Sequence, residues 1–259
     1  MKGRLFLAPS PLDFGCAPPL PALTDVLPLG AIEQMAHIRH WICENAKTTR
    51  ALLKRIDAVH SLCAPLQELH LTELPRVLHK KGDHALSPHD PVMAELRELL
   101  APALVHGEDM ALNSEAGMPA IADPGASIVS AAHSAGMVVI PLTGPSSLLL
   151  TLAASGLNGQ NFAFVGYLPQ DVAAKTRRLQ ELEQLALKTG QTQLWIETPY
   201  RNQSMLQTAL QVLKPSTRLC VAHGLTLPQM HVMSAPVGEL RRQSPCLPDR
   251  IPAVFALGR

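Results

Sequence analysis

In the first half of this chain, short apolar runs alternate with stretches whose apolar residues recur every three or four positions. That alternation predicts β-α-β units on a parallel sheet. The apolar runs fall at residues 4–9, 38–44, 109–114 and 138–142. Met137-Val138-Val139-Ile140 is apolar without a break, as a strand buried on both faces should be. The stretches between carry readable helix ends. Asn45 predicts the N-cap of a helix whose apolar face is Leu52, Ile56 and Val59. Asp90-Pro91 predicts a cap and first helical position ahead of Met93, Leu96 and Leu100. Asp123-Pro124 repeats that device before a helix that Gly136 closes. Residues 10–31 are proline-rich with few helix signals, and residues 79–91 are polar; both predict loops.

In the second half, Thr143-Gly144-Pro145-Ser146 leads into a predicted helix over 147–155 that Gly156 stops. Strands are predicted at 162–165, 193–197, 218–223, 231–235 and 252–257, and amphipathic helices at 174–187 and 202–213. No helical pattern separates the last two strands, so this sheet is expected to be mixed. The chain therefore reads as two α/β domains, residues 1–143 around a mostly parallel sheet and 144–259 around a mixed one.

Composition narrows the picture. The 259 residues are 47% hydrophobic but only 3% aromatic, so the core must be built from Leu, Ala, Val and Ile. A net charge of +1 points neither to a strongly basic nucleic-acid binder nor to an acidic solvating chain, although local basic patches can suffice for RNA. The cysteines number five, with no Cys-x-x-Cys pair, which fits a reducing compartment. Cys43 and Cys220 lie in apolar strand-like runs and are expected to pack as core residues. The apolar run after Arg4 stops at Pro9, and the stretch Leu148 to Ala154 is far too short to span a bilayer. A cytoplasmic protein with no membrane partner is expected. The histidines show no metal-ligand spacing, so no metal is expected.

Several familiar signatures are missing. The loop after the first strand, Ala8-Pro9-Ser10-Pro11-Leu12-Asp13-Phe14-Gly15, is not Gly-x-Gly-x-x-Gly, and there is no Walker loop or Gly-x-Ser-x-Gly elbow. Three other loops stand out. Ser114-Glu115-Ala116-Gly117-Met118-Pro119-Ala120-Ile121-Ala122-Asp123-Pro124-Gly125 follows a strand at the end where open α/β sheets bind ligands, and its small residues let backbone approach a ligand. An ordinary strand-to-helix turn has the same look. Pro141-Leu142-Thr143-Gly144-Pro145-Ser146-Ser147 opens a helix whose free N–H groups favour a negative group, such as a carboxylate; a domain joint with a serine cap is the plainer reading. Gly166-Tyr167-Leu168-Pro169 and Glu197-Thr198-Pro199-Tyr200-Arg201 each turn the chain after a strand.

These motifs, in this order, resemble the ribosomal small-subunit RNA cytidine 2′-O-methyltransferase branch of the tetrapyrrole-methylase superfamily. The resemblance spans the chain and is strongest over residues 109–213. It implies two α/β domains with S-adenosylmethionine in the cleft between them, commonly in a homodimer. It assigns cofactor contacts to Pro9, to Glu115, Ala116, Gly117, Met118, Pro119 and Ile121, and to Thr143, Gly144, Pro145, Ser146 and Ser147. From the second domain it adds Tyr167, Leu168, Glu197, Thr198, His223, Gly224, Leu225, Pro252 and Ala253. The substrate-side loops diverge. Pro11-Leu12-Asp13-Phe14-Gly15 stands where the branch has Ile-Gly-Asn-Leu, and Glu44-Asn45-Ala46-Lys47 where it has Glu-Asp-Thr-Arg.

Methyl transfer to a hydroxyl needs an acceptor held in line and a group to take its proton. Glu44, at the end of the second strand, is the candidate base; a salt bridge or helix cap is its structural alternative. Lys47 and Arg50 suit an anionic acceptor such as RNA phosphate, or simply form a solvated helix face. Three readings stay open: a methyltransferase acting on RNA, one acting on a small molecule or tetrapyrrole, and a non-catalytic S-adenosylmethionine-binding module.

Overall fold

A computed structural model describes residues 2–13, 16, 18–75 and 92–259. The chain divides into two compact units, Met1–Phe14 with Pro21–Pro145, and Gly15–Leu20 with Ser146–Arg259. The first unit runs β1 (Leu5–Ala8), α1 (Leu23–Val26), α2 (Leu29–Ala36), β2 (His40–Cys43), α3 (Ala46–Asp57), β3 (His70–Glu73), α4 (Val92–Leu99), α5 (Ala101–Val105), β4 (Met110–Asn113), α6 (Ala126–Ser134) and β5 (Val139–Pro141). Its sheet has the order β3-β2-β4-β1-β5, with every pair parallel. Helices cover both faces, which is why the central strands β1, β2 and β4 are mostly apolar, while edge strand β3 is not. Phe6, Trp41 and Ala111 pack with Leu23, Ile32, Met35, Leu53 and Ile56 on one side. Leu5, Ile42, Met110 and Leu112 pack with Leu96, Leu100, Ile128 and Ala131 on the other.

Four details differ from the sequence expectations. Residues 10–31 are not one extended loop, because α1 and the start of α2 lie there. The prolines do not prevent this: Pro28 sits at the N-cap of α2, where its missing N–H costs nothing, and Leu23, Leu27, Ile32 and Met35 are buried. Asp123-Pro124 does not cap α6; the N-cap is Gly125, at φ 136°, a backbone geometry that asparagine-like caps do not adopt. Val59 is exposed beyond the end of α3. Edge strand β3 was not expected, since His70-Leu71-Thr72-Glu73 is too polar to read as one. Asn45 does cap α3, accepting from Lys47 N–H at 2.9 Å. The Asp90-Pro91 cap and the whole 79–91 loop lie outside the described residues.

The second unit runs α7 (Ser147–Ser155), β6 (Phe162–Tyr167), α8 (Val172–Thr189), β7 (Thr192–Glu197), α9 (Asn202–Val212), β8 (Arg218–His223), β9 (His231–Pro236), α10 (Val237–Gln243) and β10 (Ala253–Gly258). The sheet order is β6-β7-β10-β8-β9, parallel between β6 and β7 and antiparallel elsewhere, so the sheet is mixed as expected. A helix, α10, does lie between the last two strands; with seven residues and two buried apolar positions, Val237 and Leu240, it is too short to show a periodic pattern. Leu179, Leu182, Met205 and Leu206 of α8 and α9 cover Trp195, Val221 and Phe255. Leu148 and Leu152 of α7 cover Leu194, Cys220, Val254 and Ala256 on the opposite face. Buried Cys43 and Cys220 are core residues, and burial pushes both thiols up to about 11. Among the described residues, no helix is long and apolar enough to cross a membrane.

Candidate functional site

All strands of the first sheet end at one edge, and the loops that leave it carry the predicted residues. Pro9 and Ser10 follow β1, Glu44 and Asn45 follow β2, Ser114 and Glu115 follow β4, and Thr143 to Pro145 come shortly after β5. This is the edge where open parallel sheets take ligands.

A buried polar network ties that edge together. Asn113, at the end of β4, donates through its amide to Ala8 O at 3.1 Å and to Ser10 Oγ at 2.8 Å. Its Oδ1 accepts from Thr49 Oγ1 of α3 at 3.1 Å. Ser10 Oγ in turn donates to Ser114 O at 2.7 Å. Ser10 and Gly117 exchange backbone bonds in both directions, N to O at 2.8 and 3.0 Å. The Gly117 loop is thereby locked onto the loop after β1, with every member of the network satisfied inside an apolar surround.

Two glycines allow the loops to close. Gly117 has φ +73°, and a Cβ there would stand 3.3 Å from Leu12 and 3.5 Å from Pro145 O. A Cβ on Gly144 would overlap Pro9, at 2.2 Å from its Cβ. Both motifs thus meet the loop after β1 through backbone alone.

The edge is acidic. Glu44 Oε2 accepts from Glu115 N–H at 3.2 Å, and Thr48 Oγ1 donates to Glu115 Oε1 at 3.4 Å. Burial, with the negative charges of Glu44 and Glu115 adding to it, pushes the nearby Asp123 carboxyl up to about 7. A carboxyl poised there can exchange a proton near neutral pH. Sequence reasoning treated Asp123 as a cap and overlooked Ser10, Thr49 and Asn113. Only a polar residue closing an apolar run hinted at Asn113. Lys47 and Arg50 lie exposed on α3. Met118 is half-buried, Pro119 is buried and Ile121 is exposed.

The second unit gathers its predicted residues at one end of its own sheet. Glu197 and His223 both face Ala253 across adjacent ladders, and Tyr167 pairs with Ile196 beside them. Glu197 is buried, and its Oε1 takes Thr198 N–H at 2.7 Å and Arg201 at 2.7 Å. Burial and the charge of His231 lower the His223 pKa. Leu168, Gly224 and Leu225 are buried, and Thr198 is half-buried. Pro252 is exposed. Ser146 is the N-cap of α7 without a side-chain cap bond. Among the described residues, no three His, Cys, Asp or Glu side chains are grouped to hold a metal ion.

No family model matches the chain. Curated relatives do. Ribosomal RNA small subunit methyltransferase I of Vibrio cholerae is 34% identical over 152 residues, 59% of this chain and 51% of that protein. The protein of that name from Halalkalibacterium halodurans is 30% identical over 82% of this chain and 61% of its own length. The one from Mesorhizobium japonicum is 28% identical over 87% and 68%. The chain thus spans between half and two-thirds of the length of the first two. Among solved structures, uroporphyrin-III C-methyltransferase of Thermus thermophilus, complexed with S-adenosyl homocysteine, matches with a TM-score of 0.51 at 17% identity, over 99% of this chain and 98% of that one. The methyltransferase CobJ matches with a TM-score of 0.57 at 14% identity, over 99% and 94%. At those identities the structural likeness speaks for the fold alone. The chain thus shares the fold of these methyltransferase structures and is similar in sequence to the ribosomal RNA small subunit methyltransferase I proteins.

Proposed function

We propose that this chain is an S-adenosylmethionine-dependent methyltransferase that acts on RNA. One observation carries the reading: two glycine turns meet the loop after β1 by backbone alone, at the carboxyl edge of a parallel sheet. The residues present fit the cofactor. Gly117 and Gly144 keep the loops free of side chains, and Glu44, Glu115 and Asp123 suit a positively charged sulfonium. The names of the curated relatives support both the activity and an RNA acceptor.

Pro9, Glu115 to Pro119, Ile121 and Thr143 to Pro145 would hold the cofactor from the first unit. Ser146, Ser147, Tyr167, Leu168, Glu197, Thr198, His223, Gly224, Leu225, Pro252 and Ala253 are its proposed contacts in the second. When bound, S-adenosylmethionine supplies an activated methyl group. The chain's own task is to align the acceptor hydroxyl, exclude water and take the hydroxyl proton. Glu44, steadied by Glu115 N–H, is the proposed proton acceptor, and Asp123 beside it is the second candidate. Lys47 and Arg50, both exposed on α3, are the proposed contacts for RNA phosphate. A homodimer working in the cytoplasm completes the proposal, and light scattering on the purified chain checks the dimer.

The test has two parts. Calorimetry should show S-adenosylhomocysteine binding at about one site per chain, and labelled methyl should pass from S-adenosylmethionine to small-subunit ribosomal RNA. Absence of binding at high micromolar ligand would end the cofactor reading. Binding without transfer to any RNA would turn the assignment to a small-molecule acceptor or a non-catalytic module.

A further inference from the structure

The second unit holds a groove of about 310 Å³ where α9 packs against α10, and none of the residues lining it is assigned above. Gln203, Gln207 and Gln211 line one wall at a spacing of four residues, so all three project from the same face of α9. Arg241 and Ser244 form the other wall, with Leu210 between. Arg241 is fixed in place: its guanidinium donates to the carbonyls of Leu210, Gln211 and Leu213 at the open end of α9. Gln203 is pinned as well, accepting from Leu247 N–H at 2.7 Å. Gln207 and Gln211 are exposed. A solvated helix face ordinarily carries charged residues. The sequence of α9, Asn-Gln-Ser-Met-Leu-Gln-Thr-Ala-Leu-Gln-Val, has none. Arg242 adds a second exposed cation on α10, while Glu239 is bonded to Gln243 at 3.0 Å and does not line the groove.

We propose that this groove is a docking surface for single-stranded RNA, which rests on the RNA-methyltransferase reading above. The exposed carboxamides of Gln207 and Gln211 each offer a donor and an acceptor, as base edges require, and Arg241 of the lining, with exposed Arg242 next to it in sequence, offsets phosphate charge. A cationic partner would need carboxylates, and the lining has none; an apolar peptide would need more than Leu210 and Pro245. The volume lies at the lower end of ligand-sized cavities, room for about one nucleotide at a time.

Two double variants test this by opposite changes of charge: Gln207→Glu with Gln211→Glu, and Gln207→Lys with Gln211→Lys. Both positions are exposed, so neither exchange disturbs the core. The measurements are fluorescence anisotropy with a labelled single-stranded RNA and calorimetry with S-adenosylhomocysteine. The glutamate pair should weaken RNA binding about tenfold and the lysine pair should tighten it and steepen its salt dependence, with S-adenosylhomocysteine affinity unchanged in both. RNA affinity equal in all three proteins overturns the groove. If those proteins also methylate RNA with equal KM, the proposed function stands without it. A wild-type chain that neither binds nor methylates RNA removes both.

Discussion

Gly144 and Pro9 touch so closely that the smallest side chain decides the outcome. In Gly144→Ala the new methyl would overlap the Pro9 ring, and the loops after β5 and β1 must separate. We expect a loss of about 1–3 kcal/mol in urea unfolding, with S-adenosylhomocysteine affinity falling further than stability accounts for. Gly117→Val adds strain at φ +73° and should abolish cofactor binding; unchanged affinity would remove that loop from the site. Asp123 gives a pH signature. Its carboxyl is raised to about 7 in the folded chain, while the unfolded value lies near 4. Between these values the folded state holds a proton that the unfolded state has released. Its contribution to stability is therefore greatest below about pH 4, declines as pH rises to about 7, and is level above. Asp123→Asn should flatten that part of the profile, read as urea midpoint against pH. Identical slopes in the two proteins would mean that Asp123 is not the titrating group. Asp123 was invisible as such in the sequence, because Asp-Pro before a helix looks like a cap, and nothing local shows that Glu44 and Glu115 will arrive beside it.

At the scale of elements, the carboxyl edge of the first sheet depends on one amide. Asn113 is 2% exposed and joins β1, β4 and α3. Asn113→Ala leaves Ala8 O, Ser10 Oγ and Thr49 Oγ1 without that partner in a dry setting, at a cost of about 2–3 kcal/mol. Thr49→Val removes the hydroxyl shared between Asn113 Oδ1 and Asn45 O at nearly constant shape and should cost about 1 kcal/mol. A double-mutant cycle in chemical unfolding measures the coupling, and strict additivity would mean that the network is not shared. Elements with strong periodicity were legible from sequence: α3 with its Asn45 cap, α7 stopped by Gly156 at φ +70°, and the long amphipathic α8, whose Gly190 C-cap at φ +73° only the structure shows. Short elements were not. One- and two-turn helices such as α1 and α10 bury too few residues to leave a pattern, and β3 is held by its parallel partner β2, not by its own composition.

At the scale of the whole chain, each unit has its own hydrophobic core and one of the two tryptophans, Trp41 in the first and Trp195 in the second. Variants with a single tryptophan therefore report each core separately. Leu53→Ala, at a fully buried position of the first core, should lower stability by about 2–5 kcal/mol and move the Trp41 transition more than the Trp195 transition. Equal shifts would mean that the two cores unfold as one. Local sequence determined the two α/β halves, the parallel and mixed sheets, and the glycine turns, since hydrophobic period and backbone freedom are properties of neighbouring residues. Only the tertiary structure decided which polar groups would meet: Asn113 with Ser10 and Thr49, Asp123 with Glu44 and Glu115, Gly144 with Pro9. Those encounters join strands and loops far apart in the chain, and burial and Coulomb energy depend on distance in space, which no local pattern encodes.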